Sequence, residues 1–359
     1  MTTTGLSVHI CHDFKTGPWG GSNQFAHSLR EFLVSTDTYA VDASKADVIF
    51  FLSHGHVKEV IRLKRKFPEK LFIHRLDGPV ILHHPVSKKR DAMTYWVNRS
   101  IADATVFQSD WSRESNYKTG FERQQFETTI LNACSATTFN KEGKVPFSQD
   151  RKTRVIMTSW SPYKAKGFGT YQWLDEHLDF SRFELTFVGN SPISFKNIKT
   201  EAPVPPSQLA TVIKQHDIYI TASEKDACSN ALIEAMTCGL PAIALNDGGH
   251  PEIVKEGGKL FNNAEEIPVL LDEIYENYKS FQDAIALPSH HHMGHQYLEF
   301  IRSVFDAPHR TEKKLGLRKL LGYFVLKLYA YRLTCHWLFT VAITSRSNSL
   351  SPKYLLLSL

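Results

Sequence analysis

Two carboxylates separated by seven residues, Asp226 and Glu234, flank the junction of this chain that is richest in chemistry. Ahead of them the apolar run Asp217 to Ala222 reads as a strand, and after Ser223 to Ser229 the residues Asn230 to Thr237 bring Ala, Leu, Ile, Glu, Ala and Met, which favour a helix. Cys238-Gly239-Leu240-Pro241 then stops it, as glycine just past a helix end and proline soon after do. A helix that begins at the carboxyl end of a parallel strand aims its free N–H groups and positive dipole end into the crevice there, which makes a ready seat for a phosphate. Glu234 lies within two turns of that start, so its carboxylate can accept hydrogen bonds from the ribose hydroxyls of a nucleotide whose diphosphate rests on the helix.

Other groups fall at the ends of other expected strands. Gly20 and Gly21 sit in a Gly-Pro-Trp-Gly-Gly turn between a strand and a helix, where the lack of a Cβ lets the backbone come close to a ligand; a plain tight turn is the bland alternative. His74-Arg75-Leu76-Asp77-Gly78-Pro79 follows a strand. There Arg75 can pair with a phosphate and Asp77 can orient an acceptor hydroxyl, or the two can simply pin a turn by pairing with each other.

At Asp226, Glu234, the Ala235-Met236-Thr237-Cys238-Gly239-Leu240-Pro241 stretch behind them and Gly248-Gly249-His250-Pro251-Glu252, the chain resembles the family 4 glycosyltransferases, retaining enzymes of the GT-B fold that use nucleotide sugars. The resemblance covers about the first 305 residues. It implies that Glu234 holds the ribose, that amides near Ser229 and Asn230 hold the diphosphate, and that Asp226 contacts the donor sugar. Asp226 stands where the family usually carries Glu, a side chain longer by one methylene, about 1.5 Å. The family also clamps the diphosphate with an Arg and with a Lys directly before Gly in the loop after the first strand of the second domain. Lys166 before Gly167 fits the second position, while Ser161 occupies the first, which leaves Lys164 as the replacement cation. Gly20 and Gly21 are implied to approach the donor phosphates or the acceptor. A histidine of the first domain is often catalytic in the family, and His12, His54 and His74 compete for that place.

The elements that must position these groups are those of an α/β chain. Strand signals at Leu6 to Cys11, Ala46 to Leu52, Leu71 to His74 and Ala104 to Gln108 alternate with helix signals, and Phe25, Ala26, Leu29, Phe32 and Leu33 share one helical face. Ile130 to Cys134 resembles the last strand and turn before a polar linker within 135–151, and a new strand opens at Arg154 to Met157. The expected layout is two Rossmann-like domains facing a cleft. Residues 1–140 form the acceptor side, 151–288 the donor-binding domain, 289–305 a helix crossing back to the first domain, and 313–359 a basic, aromatic helical tail.

Composition sets the remaining bounds. With 359 residues, 42% hydrophobic and 22% charged, the chain has material for two cores. Its net charge of +5 comes without a Lys/Arg stripe interleaved with aromatics, which argues against nucleic acid as partner. The five cysteines Cys11, Cys134, Cys228, Cys238 and Cys335 are scattered and read as reduced thiols of a cytoplasmic protein. The adjacent histidines at 290–292 and His295 lack the spacing of a metal site. Leu315 to Thr344 mixes apolar and aromatic residues with Lys and Arg and has no acidic residue, so it either lies on an anionic bilayer or packs as an extra helix.

The expected activity is therefore metal-independent transfer of a sugar from a nucleotide diphosphate donor to a glycan or lipid-linked acceptor, in polysaccharide or lipid-linked glycan synthesis, with no resident cofactor. In this reading Asp226, Lys166 and Asp77 act at the reacting centre, while Gly20, Gly21, Lys164, Lys166, Ser229, Asn230 and Glu234 hold the donor. A nucleotide-sugar epimerase of the same fold and a non-catalytic nucleotide-sugar-binding protein are the alternatives.

Overall fold

The computed structural model describes residues 5–17, 20–83, 88–308, 313, 315–316 and 321–323. Its first sheet is built from β1 (Val8–Cys11), β2 (Val48–Leu52), β3 (Leu71–Leu76), β4 (Ala104–Phe107) and β5 (Glu127–Thr129), all parallel and in sequential order. The connecting helices are α1 (Gly21–Ser35), α2 (Val57–Lys66), α3 (Lys88–Ile101) and α4 (Asp110–Lys118). Every residue of β2 and β3 is buried, as a parallel sheet covered on both faces requires. Alternation along the strands divides the core. Val48, Phe50 and Leu52 face α1, whereas Ile49 and Phe51 face α2 and α3.

The second sheet holds β6 (Thr153–Ser159), β7 (Phe183–Gly189), β8 (Lys199–Glu201), β9 (Ile218–Thr221), β10 (Ala242–Leu245) and β11 (Gly258–Phe261). Its helices are α5 (Phe168–His177), α6 (Pro206–Lys214), α7 (Asn230–Thr237), α8 (His250–Val254), α9 (Ile267–Glu276) and α10 (Tyr278–Asp283). The strand order is β11-β10-β9-β6-β7-β8, a doubly wound sheet that reverses direction between β6 and β9. Ligands of such sheets bind outside the carboxyl ends of the strands at that reversal, and the loops there are the ones that carry Lys166 and Asp226.

A last helix, α11 (His290–Phe305), follows the second sheet in the chain yet packs on α1 of the first, with Met293, Tyr297, Ile301 and Val304 in the same cluster as Phe25, Leu29 and Phe32. It approaches so closely that a Cβ on Gly294 would stand 2.1 Å from Phe32 Cγ. The helix starts at His290, within one residue of the expected 289–305, because Ser289 caps it by accepting from the His292 amide. His291 and His295 lie edge-on to Phe32.

The expected strand at Ile130 to Cys134 is displaced. The strand is Glu127–Thr129, and the Ile130 amide makes the last bond to β4, on Phe107 O at 2.9 Å. Beyond it the chain turns away, and the buried Asn132 spends its side chain on other polar groups instead of on a ladder. Of the tail, Leu315 and Tyr323 pack against the cluster around α2 and α3, and Tyr323 lies 5.5 Å from the Trp96 ring. Apart from residues 313, 315–316 and 321–323, the tail 313–359 falls outside the described residues, as do Pro18 and Trp19 of the glycine turn. Among the described residues no helix is long and apolar enough to cross a membrane.

Polar contacts span the two sheets. Glu252 on α8 accepts the amides of Asp110 and Trp111 at the start of α4, both at 2.8 Å, so one half of the molecule caps a helix of the other. Asn132 donates to Asn230 (2.9 Å), Asn230 donates to Gly21 O (2.8 Å), and Lys225 Nζ donates to Leu82 O (3.2 Å). Glu252→Ala is expected to lower stability by about 1–2 kcal/mol, the usual cost of a lost charged cap. A single cooperative thermal transition that moves down without splitting would verify it. An unchanged midpoint would show the contact to be dispensable.

Candidate active site

A cavity of about 490 Å³ lies between the carboxyl ends of the two sheets. Its walls include Gly20 and Gly21 after β1, Arg75 and Asp77 at the end of β3, Ser161 and Lys166 after β6, and Asp226, Ser229, Asn230 and Glu234 after β9. The residues expected to hold the donor or act at the reacting centre thus meet in one place, with Lys164 as the exception. Lys164 is exposed on the single 3-10 turn Lys164–Lys166 and does not line the cavity. That turn ends at Gly167, whose φ of +83° and whose closeness to Ala222 (2.4 Å for an added Cβ) exclude any larger residue, so the chain is fixed with Lys166 toward the cleft and Lys164 away from it. Lys164→Ala should consequently change donor affinity by no more than about twofold, as surface lysines without buried partners do. A direct binding titration beside wild type decides it.

Helix α7 opens with Ser229 as its capping residue, its hydroxyl accepting from the Leu232 amide. The first-turn amides of Asn230 and Ala231 have no intrahelical acceptor, as at any helix start, and both residues line the cavity. Just over one turn in, Glu234 is only 6% exposed. Among the described residues its carboxyl has no hydrogen-bond or ion-pair partner, and burial pushes its pKa up to about 8. A buried carboxyl at a cavity wall is a group waiting for a hydroxyl donor. Glu234 also borders a second cavity of about 570 Å³ that runs between α1 and the linker, past Asn23, His27 and Ser135.

Asp226 is paired with Lys166, Oδ2 to Nζ at 3.0 Å. Burial works to raise its pKa, but Lys166 foremost, with His250 behind it, more than offsets this and holds the carboxyl below its ordinary value. The carboxylate is therefore ionised and has a second oxygen for a ligand. Its backbone is clamped by the following glycine turn, in which Gly249 N donates to Asp226 O at 2.8 Å and a Cβ on Gly248, at φ +64°, would lie 2.3 Å from that same oxygen.

On the facing wall Arg75 is 1% exposed and lies 3.9 Å from the centre of the Phe25 ring. It donates to Asp77 (2.8 Å), Gln108 (2.6 Å) and Asn132 (2.7 Å). Asp77 also accepts from Gln108 (3.0 Å) and from Ser22 (3.3 Å). The pair takes the pinning arrangement. Arg75 pins the loop, and Asp77, so fixed, still presents an edge to the cavity.

Of the three histidines, His74 is excluded by burial. Its ring stacks on Phe51 at 4.3 Å, bonds Ser53 O, and is held neutral by desolvation with its pKa pushed down to about 3. His12, half-buried, bonds Asn23 at 3.2 Å and packs edge-on to His56. Neither His12 nor His54 lines the main cavity.

Sequence reasoning passed over Lys225, Trp160 and Tyr163, all of which border the cavity. Lys225 has a left-handed φ of +52°, its amide bonds Asp247 (2.7 Å), and its side chain crosses to the other sheet. Its place directly before the acidic residue of the motif was the available signal.

Residues 196–290 match the family model described as Glycosyl transferases group 1. A curated relative, N-acetyl-alpha-D-glucosaminyl L-malate synthase of Bacillus anthracis, is 28% identical over 123 residues, which is 33% of this chain and 29% of that protein. The chain therefore matches under a third of the length of that relative. Among solved structures, sucrose-phosphate synthase of Thermosynechococcus elongatus superposes with a TM-score of 0.60 at 12% identity, covering 91% of this chain and 100% of that one. Anabaena HepE, solved in complex with UDP and glucose, superposes with a TM-score of 0.63 at 12% identity over 83% of this chain and 100% of that one. The chain shares the GT-B fold with these structures, and its residues 196–290, which include Asp226, Ser229, Asn230 and Glu234, match the model of glycosyl transferases group 1.

Proposed function

We propose that the chain is a retaining glycosyltransferase that moves a sugar from a nucleoside diphosphate sugar to an acceptor hydroxyl. The observation that carries this reading is the meeting, at the reversal point of the second sheet, of a free helix start, a partnerless buried Glu234 and the Lys166–Asp226 pair. The diphosphate rests on the amides of Asn230 and Ala231, where the α7 dipole favours negative charge. Glu234, four residues along, takes the ribose hydroxyls. Asp226 holds a hydroxyl of the donor sugar. Lys166, and Lys225 in the role first expected of Lys164, meet the charge that builds on the leaving diphosphate. HepE, a structural neighbour, was solved with UDP and glucose, which makes UDP the first nucleotide to try.

In the step itself the bond from the anomeric carbon to the β-phosphate oxygen breaks and the acceptor oxygen bonds that carbon on the same face. The acceptor proton leaves with the nucleoside diphosphate. Retention is carried over from the family resemblance. Because two lysines and a helix start supply the positive charge at the diphosphate, turnover is expected to persist in excess EDTA. Loss of turnover restored by Mg²⁺ or Mn²⁺ would contradict that.

The acceptor in this proposal is a glycan or lipid-linked glycan of polysaccharide synthesis, met at the cytoplasmic membrane surface by the basic tail at 313–359. The test is incubation with a panel of nucleotide sugars and a glycan or membrane fraction, followed by NMR of the product. Release of nucleoside diphosphate with an axially or equatorially linked product matching the donor supports retention. An epimerised free nucleotide sugar formed without acceptor would replace the reading with the epimerase.

A further inference from the structure

From the loop after β6 we infer an acceptor subsite in which Trp160 and Tyr163 stack on a pyranose ring; it rests on the transferase reading above. Large aromatic side chains are normally put away from water, since leaving one half exposed forgoes much of the gain from its burial. Here Trp160 is 44% exposed and Tyr163 48% exposed, three residues apart, and both border the same cavity as Lys166 and Asp226.

The loop that presents them is braced rather than loose. Asn190 Nδ2 donates to Trp160 O (2.7 Å), the Asn190 amide to Ser159 O (3.0 Å), Ser159 Oγ to Ser161 O (2.8 Å), and the Lys166 amide to Tyr163 O (2.9 Å). Rigid aromatics bordering a cleft give contact area at little entropic cost to the protein.

Position and chemistry narrow the occupant. The indole edge looks across the cleft, with Trp160 Cδ1 4.0 Å from where a Cβ on Gly20 would stand, so Trp160 reaches toward the wall that carries Ser22 and Asp77. The second sheet offers a separate apolar strip to a nucleobase, from Val188, Val204, Pro206 and Leu209. A pyranose has an apolar face of axial C–H groups and a rim of hydroxyls. The aromatic faces match the first, and Asp77 with Ser22 and Ser161 matches the second. An acyl chain would gain nothing from that polar rim and would leave it unpaired.

The test uses the full chain, the wild type beside Trp160→Ala, Trp160→Phe and Tyr163→Ala. UDP, ADP and GDP are titrated first, and an immobilised array of oligosaccharides is then probed in the presence of whichever nucleotide binds. The expected result is binding to a subset of glycans that Trp160→Ala and Tyr163→Ala each weaken about tenfold or more, that Trp160→Phe largely keeps, and nucleotide affinity unchanged within about twofold in all three. Glycan binding that is absent in the wild type, or unchanged in both alanine variants, overturns the subsite. So does a tenfold loss of nucleotide affinity in Trp160→Ala, which would hand the aromatics to the donor. Failure of all three nucleotides to bind the wild type would instead count against the transferase reading itself, and the two failures are thereby told apart.

Discussion

Glu234→Gln is expected to make the protein more stable at and above pH 7 while weakening its hold on the donor nucleotide. The folded carboxyl is raised from its ordinary 4.5 to about 8 by burial without a partner. Between those two values the native state keeps a proton that the unfolded chain has released, so stability falls as pH rises, and the penalty is complete above about 8. Glutamine does not titrate. The variant should therefore gain on the wild type progressively from pH 5 to pH 8, by on the order of a few kcal/mol at the upper end. Urea unfolding at pH 5, 7 and 8.5 measures the gap directly, and a gap that does not widen with pH would mean that Glu234 is solvated or paired. The affinity moves the other way. Above about pH 8, where the carboxyl is ionised, replacing it removes the charge-assisted hydrogen bonds it accepts from the ribose hydroxyls, a loss of about ten- to a hundredfold. A residue whose removal steadies the fold and harms binding is one kept for its ligand.

The second large effect concerns Lys166. Lys166→Ala removes the cation 3.0 Å from Asp226 and beside the place of the leaving diphosphate. Loss of one preorganised charge aimed at a developing anion costs about 100- to 1,000-fold in kcat. It also leaves Asp226 without its main stabilising partner, so the carboxyl, already pushed upward by burial, loses what holds its pKa down. The residual activity should then rise with pH more steeply than that of the wild type. Arginine at this position should restore the charge but not the geometry, since a planar fork does not fit where a point charge sat. Steady-state kinetics with the identified donor would show kcat falling far more than KM rises. An unchanged kcat would remove Lys166 from the reacting centre, whereas an effect confined to KM would make it a binding residue only.

The parts of this site that could be read in advance are those fixed by local rules. Helix α7 runs from Asn230 to Thr237 as expected, because a capping serine, a run of good helix formers and a Cys-Gly-x-Pro stop all agree. Strands such as Leu71–Leu76 were expected within two residues of their ends, since continuous apolar runs between turn residues leave little choice. Lys164 and Lys166 look alike in sequence, and only the left-handed Gly167 and the packing of its turn on Ala222 decide which of them faces the cleft. Likewise nothing local says that Lys225 spans to Leu82, that Asn132 leaves the sheet to join Arg75 and Asn230, or that Glu252 caps α4 from 142 residues away. Those contacts exist only once the two sheets face each other. The order β11-β10-β9-β6-β7-β8, which puts the loops after β6 and β9 side by side, is a tertiary fact of the same kind.

The most direct test of the central claim is a calorimetric titration of wild type and Glu234→Ala with UDP, ADP and GDP, each beside its nucleoside monophosphate. If the diphosphate sits on the start of α7 and the ribose on Glu234, one nucleoside diphosphate binds the wild type, its monophosphate binds at least about tenfold more weakly, and Glu234→Ala loses about ten- to a hundredfold of the affinity. Equal binding of mono- and diphosphate, or full affinity in Glu234→Ala, would contradict the placement of the donor in this cleft.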